Sequence, residues 1–327
     1  MIPIMDCVGI VGAGVSGLTC GVVFAEAGCR TAIFAKEVGQ QTTSGAAGAV
    51  WFPYDVEPAE KVIPWALQTF AVLGDLAGVP GTGVSMIELR QLSRTEEIQI
   101  PDWAIPLGAQ AVILSSPSVM SSGVETSLKS FKSGFALNVP LTDTTIYLEY
   151  LANRFQKAGG EINGNVHFEK LENVDEQFDL VINCAGIGAR ELVQDVNIEP
   201  HRGQVAIVPK IENLSCAIVC DDTPLMYTIP RTKDCVFGGT NDPSSDLAAD
   251  PATTSRIVSE CSQVLRIEKP NVLAERVGLR PFRKSGVRVE RKRLRDGRPI
   301  IHNYGHGGAG FTLSWGCARE VAVLARF

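Results

Sequence analysis

A two-lobed α/β fold is predicted here, a nucleotide-binding α/β lobe interleaved with a β-rich (α+β) lobe, and three observations predict it. The chain opens on an apolar run at residues 7–11, a glycine turn and a helical pattern, the order of a parallel βαβ unit. From about residue 80 to 140, and again from about 195 to 270, the pattern changes to short β-like runs broken by proline and glycine. At 327 residues the chain is long enough for two lobes of roughly 100–200 residues each.

Residues 7–11 form the first strand, residues 15–27 a helix ending at Gly28, and residues 30–35 a second strand. A Gly/Ala/Thr-rich stretch from Gly39 to Ala49 follows, then Trp51-Phe52-Pro53-Tyr54; a long loop beside a nucleotide unit reads as a ligand loop rather than a linker. Asp143 has the side chain to cap a helix running to about residue 158. Phe178 to Gly186 is a buried strand ending in small residues, which returns the chain to the first lobe. Residues 203–208, 216–219, 226–229 and 235–239 read as strands of the second lobe, followed by a helix over 251–265 that Pro270 stops. From Arg276 onward the chain is expected back in the nucleotide lobe, closing on a helix that begins near Thr312.

Composition excludes several classes. A net charge of −6 and a pI near 5.4 disfavour a nucleic-acid binder or a binder of anionic membranes. The ten Lys/Arg against two acids between Arg276 and Arg298 are a local exception, but the alternation Val287-Arg288-Val289-Glu290-Arg291 reads as a half-exposed strand with solvated charges. Nine scattered cysteines with no Cys-x-x-Cys pair read as reduced, mostly buried thiols of a cytoplasmic protein. Residues 7–25 carry no charge but hold five glycines, and no basic residue precedes them, so neither a signal peptide nor a membrane helix is expected. The end, Leu-Ala-Arg-Phe, is no peroxisomal address.

Gly12-x-Gly14-x-x-Gly17 after a strand and before a helix is the Rossmann-like dinucleotide turn: it lets a pyrophosphate approach the backbone and aims helix N–H groups at it. Glu37, at the end of the second strand, is placed to accept ribose hydroxyls, while the adjacent Lys36 would suit a 2′-phosphate, so the motif by itself leaves the cofactor open. Arg280, in Gly278-Leu279-Arg280-Pro281, is held extended by the following proline and offers a fork that matches a carboxylate; a structural ion pair is the alternative. His302 and His306 are four apart, but a Tyr-Gly step lies between them and no third ligand is near, so no metal is expected. No serine sits in a Gly-x-Ser-x-Gly elbow.

The most specific stretch is Ile300-Ile301-His302-Asn303-Tyr304-Gly305-His306-Gly307-Gly308-Ala309-Gly310, followed by Trp315-Gly316-Cys317-Ala318. With Thr42-Thr43-Ser44, Trp51-Phe52-Pro53-Tyr54, Asn183-Cys184-Ala185-Gly186, Arg202-Gly203-Gln204, Tyr227-Thr228-Ile229-Pro230 and Gly278-Leu279-Arg280-Pro281, it resembles the D-amino acid oxidase family, D-aspartate oxidases included, from about Val8 to Ala318. The resemblance implies FAD as cofactor and a division into an FAD-binding lobe (1–60, 139–194, 275–327) and a substrate lobe (61–138, 195–274). It implies FAD contacts at Gly12, Ala13, Gly14, Val15, Ser16, Lys36, Glu37, Thr43, Ser44, Gly48, Ala49, Val166, Ala185, Gly307, Gly310, Phe311 and Thr312. Arg280 would clamp the substrate carboxylate with support from the Tyr227 hydroxyl, the Gly308 carbonyl would take the amine, and Tyr54 and Phe52 would line the pocket. The implied reaction moves the Cα hydrogen of a D-amino acid to the flavin, with dioxygen as the final acceptor; a homodimer is compatible with the resemblance.

Two departures bear on specificity. Many animal members carry a second tyrosine on a lid a few residues before the one matched by Tyr227, whereas Asp221-Asp222-Thr223-Pro224-Leu225-Met226 has none, which implies a short or absent lid and faster product release. Tyr54 stands where aspartate oxidases tend to carry histidine, which favours neutral side chains. An acidic substrate would need a second cation, for which Arg202, Arg231 and Arg283 are the candidates.

Overall fold

The computed structural model describes residues 6–114 and 130–326; the part of the expected β-rich run within 115–129 lies outside them. In chain order the elements are β1 (Cys7–Val11), α1 (Val15–Glu26), β2 (Arg30–Phe34), α2 (Ala59–Ala77), β3 (Val84–Ser93), β4 (Gln110–Ala111), β5 (Ser133–Thr142), α3 (Thr144–Lys157), β6 (Glu161–Asn163) and β7 (Leu180–Asn183). They continue with α4 (Ala189–Leu192), β8 (Ile198–Pro209), β9 (Cys216–Cys220), β10 (Met226–Pro230), β11 (Asp234–Gly238), β12 (Asp242–Pro243), α5 (Pro251–Leu265), β13 (Ala274–Arg283), β14 (Arg288–Arg293), β15 (Pro299–Tyr304) and α6 (Gly310–Leu324).

Two sheets organise them. The first has six strands in the order β14-β15-β7-β1-β2-β6, with every neighbour parallel except β14 against β15. Its central strand β1 is buried on both faces, as a parallel sheet flanked by helices requires. The second sheet has nine strands in the order β12-β8-β11-β10-β9-β3-β5-β4, with β13 paired to β8. The α/β reading therefore holds, and the expected cap is present: the Asp143 side chain accepts from the Thr145 N–H at the start of α3.

The strand at 274–283 corrects the expected return of the chain at Arg276. It pairs antiparallel with β8 from Ala274↔Ile207 to Arg283↔Ile198, so the chain rejoins the parallel sheet only at β14. Beyond Arg283 the solvated strand is as expected, with Glu290 flanked by Arg288 at 2.9 Å and Lys292 at 2.7 Å. Asp195 is buried under the same region. Burial alone would raise its carboxyl, but hydrogen bonds from Arg283 (2.8 Å) and Tyr304 (2.9 Å) outweigh that and bring it down to about 2.

Helix α2 has no counterpart in the sequence reading. Pro58 and Pro64 hide it, Pro64 lying inside the helix. Its buried residues Val62, Trp65, Ala66, Thr69, Leu73 and Leu76 nevertheless follow helical spacing. It packs on α6 at backbone distance: a Cβ on Gly316 would lie 2.2 Å from the Trp65 carbonyl oxygen. No helix among the described residues is long and apolar enough to cross a membrane.

Replacing Gly316 by valine should therefore force the helices apart and cost about 1–3 kcal/mol or more. Gly74→Ala, on the facing helix α2 with open space around the new methyl, should instead gain about 0.5–1 kcal/mol. Urea midpoints of the two variants test this; equal shifts would refute the account of the α2–α6 contact.

Candidate functional site

The carboxyl ends of β1, β2 and β7 open on one side of the parallel sheet, where ligands of such sheets bind. A cavity of about 950 Å³ begins there and runs across to the second sheet. At its first end Gly12 has φ +111°, and a Cβ would sit 2.3 Å from the Cys184 carbonyl oxygen; a Cβ on Gly17 would sit 1.8 Å from the Gly12 oxygen. Only glycine allows this turn and this strand-to-helix approach. The Val15 N–H donates to Ser44 Oγ at 3.0 Å, which ties the 43–46 turn to the start of α1. Beyond the Val15 N–H held by Ser44, neither α1, which follows Gly14, nor α6, which follows Ala309, has a side-chain cap, so the remaining N–H groups of their first turns face the cavity that both helix starts line. A glycine cradle at one end and an uncapped helix start farther along fit an elongated dinucleotide.

Every residue for which a cofactor contact was expected lines this cavity: Gly12 to Ser16, Lys36, Glu37, Thr43, Ser44, Gly48, Ala49, Val166, Ala185, Gly307, Gly310, Phe311 and Thr312. The Thr312 hydroxyl also donates to the Phe52 carbonyl at 3.0 Å and accepts from the Phe52 N–H at 3.1 Å, so α6 fixes the segment that carries Phe52 and Tyr54.

Arg280, Tyr227, Tyr54, Phe52 and Gly308 line the same cavity. Arg280 lies flat over β8 because position 203 has no side chain: a Cβ there would be 2.5 Å from Nη1. Tyr227 lies flat over its cross-strand partner Gly238 for the same reason, with a Cβ at 238 falling 2.0 Å from the ring. A Cβ on Gly308 would meet the Tyr54 ring at 2.9 Å and Arg280 Cδ at 3.6 Å, so its backbone lies against both. Arg280 Nη1 donates to the Thr240 carbonyl (2.9 Å) and Asn241 Oδ1 (3.3 Å), and Asn241 Nδ2 donates to the Tyr54 hydroxyl (3.2 Å). Among the described residues Arg280 has no carboxylate within ion-pair distance, so the structural ion pair is not its role. Burial, reinforced by the negative charge of Asp221, pushes the Tyr54 phenol up to about 12 against the opposing charge of Arg280. Burial likewise raises Tyr227, again opposed by Arg280, so both phenols are neutral donors at neutral pH.

The three arginines considered as second cations are engaged elsewhere, which corrects that expectation. Arg202 donates to the carbonyls of Asp246 and Ala248 and to Gln204. Arg231 pairs with Asp234 at 2.7 Å and Arg283 with Asp195 at 2.8 Å. None of the three lines the cavity. Asn241, Gly203 and Gly238 escaped the sequence reading as site residues: the glycines matter through the side chain the strands lay against them, and Asn241 through its bonds to Arg280 and Tyr54 from a loop. Gly203 alone carried a signal, as part of the Arg-Gly-Gln match.

His302 and His306 are buried, each beside an asparagine. His306 Nε2 lies 3.1 Å from Asn303 Oδ1, and His302 Nδ1 lies 3.4 Å from Asn183 Nδ2. Burial, with the Arg288 charge adding to it at His302, lowers both imidazoles to about 4.

A parallel nucleotide sheet whose cavity continues to an arginine with no carboxylate partner among the described residues, a neutral phenol on the second sheet and another on the 51–54 loop is the arrangement of a flavin-dependent oxidoreductase that acts on a small carboxylate. The model of the DAO family, FAD-dependent oxidoreductases, matches residues 7–324, and the chain belongs to that family. FAD is its cofactor. The chain is 38% identical over 322 residues to a D-amino-acid oxidase of Rubrobacter xylanophilus, covering 97% of this chain and 94% of that one. It is 32% identical to the D-aspartate oxidase of Homo sapiens, covering 97% and 94%. Among solved structures, glycine oxidase from Geobacillus kaustophilus superposes with a TM-score of 0.81 at 19% identity, covering 97% of this chain and 94% of that one, a likeness of fold.

The two histidines give a pH dependence. Their folded values of about 4 lie below the ordinary 6.5, so the stability of the neutral forms is present above pH 6.5 and is lost as pH falls from 6.5 toward 4. Every tenfold displacement of such a proton equilibrium is worth about 1.4 kcal/mol. The melting temperature should fall through that window and fall less steeply in His306→Gln; a flat profile in the parent protein would contradict the buried neutral assignment.

Proposed function

We propose that the chain oxidises D-amino acids, with neutral side chains favoured over acidic ones, to 2-oxo acids, ammonia and hydrogen peroxide. The observation that carries this reading is Arg280, free of any carboxylate partner among the described residues, laid beside Tyr227 and Tyr54 and against the Gly308 backbone. Bound FAD supplies the two-electron acceptor for the Cα hydride. The chain's own residues supply position. The Arg280 guanidinium, fixed by Thr240 and Asn241, holds the carboxylate, and the Tyr227 phenol, neutral at working pH, donates to it. The Gly308 carbonyl accepts from the amine. With carboxylate and amine both fixed, only one enantiomer points its Cα–H along the cavity toward the α6 end, so orientation provides most of the rate and sets the handedness. No side-chain base is required, because the amine nitrogen's own electron pair forms the C=N bond as the hydride leaves. The imino acid then hydrolyses in water, and dioxygen takes up the two electrons as peroxide.

The engagement of Arg202, Arg231 and Arg283 away from the cavity supports the neutral preference, since no second guanidinium from that set reaches a side-chain carboxylate. Purified protein should release peroxide with D-alanine, D-valine and D-methionine and not with their L-isomers. A response confined to D-aspartate would move the chain to the acidic branch, and bound FAD inert to all of them would refute the oxidase reading. Arg280→Met should retain FAD while raising KM and lowering kcat/KM at least about tenfold to a hundredfold, the worth of one or more charged hydrogen bonds. Unchanged kinetics in that variant would sink the clamp.

A further inference from the structure

We propose that Asp221 is a specificity residue that receives the cationic or hydrogen-bond-donating end of a substrate side chain, so that basic D-amino acids are favoured substrates and acidic ones are repelled. The inference rests on the oxidation reading above and adds to it a substrate class. Its first support is strand geometry. Tyr227 on β10 is paired directly with Val219 on β9, and side chains paired across a sheet share a face. Val219 lines the cavity, Cys220 turns to the apolar core on the other side, and Asp221 turns back to the cavity. Asp221 therefore stands two residues, about 6.5 Å, along the strand from the Val219–Tyr227 pair. That matches the reach of a lysine or arginine side chain whose carboxylate is held at Arg280 and Tyr227.

The carboxylate is fixed and unspent. Gln91 Nε2 donates to Asp221 Oδ2 at 2.8 Å, while Gln91 Oε1 is buried without a partner among the described residues, so the amide is turned to serve the acid. No lysine or arginine among the described residues lies within ion-pair distance of Asp221. Its neighbour Asp222 is consumed by Ser93 Oγ at 3.0 Å and the N–H groups of Arg94 and Thr95, and Arg94 Nη1 holds the Pro224 carbonyl at 2.6 Å. These bonds tie residues 221–225 to the end of β3, so Asp221 is presented by a fixed hairpin. Burial raises its carboxyl, and the charges of Asp222 and Asp55 add to this against the Gln91 bond, which leaves the ionised form short of positive charge. An ammonium or guanidinium on the substrate supplies what is missing; a carboxylate makes the shortage worse.

The test uses the holoenzyme and two ligand pairs. D-lysine and D-norleucine differ at the end of the side chain, as do 6-aminohexanoate and hexanoate, which lack the α-amine and cannot be oxidised. Calorimetry on the parent protein should show 6-aminohexanoate binding about tenfold more tightly than hexanoate, as expected for a charged hydrogen bond. Asp221→Asn should cut that ratio, and the D-lysine to D-norleucine ratio of kcat/KM, about tenfold. Asp221→Glu should restore most of both, and Asp221→Arg should raise kcat/KM for D-glutamate. Equal binding of the two hexanoates by the parent protein overturns the proposal whether or not any variant folds, as do ratios unmoved by Asp221→Asn. The oxidation reading fails separately: 6-aminohexanoate would bind as stated while no D-amino acid releases peroxide.

Discussion

The site depends on a bare stripe in the second sheet, where Gly278 on β13 pairs directly with Gly203 on β8. Paired residues on one face of a sheet normally fill the space above it with two side chains. Here the space is left open, and it is occupied from both directions. Arg280 leans over Gly203, while the turn carrying Thr43 and Ala46 approaches Gly278, whose Cβ would lie 3.2 Å from the Ala46 methyl. The same turn holds the start of α1 through Ser44. One glycine pair thus brings the arginine and the nucleotide-side turn onto one surface, and a substitution at either position would push one of them away.

What could be read in the sequence divides along physical lines. The glycine turn after β1 was legible because its requirements are local: a positive φ at Gly12 and a strand-to-helix approach at Gly17, both set within a few residues. The Asp143 cap and the helix at 251–265 were legible for the same reason. Helix α2 was obscured by Pro64, although its buried spacing is regular and outweighs one lost hydrogen bond once the helix has α6 to pack against. Strand β13 was misplaced because its ten residues pair with residues 198–207 of β8, far earlier in the chain, and no local pattern records that pairing.

Charge was the least legible property. Arg202, Arg231, Arg280 and Arg283 look alike along the chain, yet three are engaged away from the cavity, while Arg280, steadied by the Thr240 carbonyl and Asn241, lines it with no carboxylate partner among the described residues. The difference arises from neighbours far away in sequence, such as Asp195 for Arg283. The motif Gly-Leu-Arg-Pro identified the arginine on the cavity, and only the family resemblance gave that motif its weight. Asn241 shows the opposite case: it joins Arg280 to Tyr54 from a loop with no motif at all.

The connection between β9 and β10 decides how the pocket recognises a side chain. A long connection could fold over the substrate and adapt to many shapes, at the cost of ordering itself each time. Residues 221–225 cannot do this, because Asp222 and Pro224 are bonded back to Ser93, Arg94 and Thr95 before the chain turns into β10. On the proposed reading, the group at the substrate's far end is a residue just past the end of β9 in a fixed position, which discriminates by charge and distance and gains nothing from closure. Under the proposed function, rigidity at that point assigns release to the Arg280 contacts with the product's carboxylate rather than to movement of this hairpin.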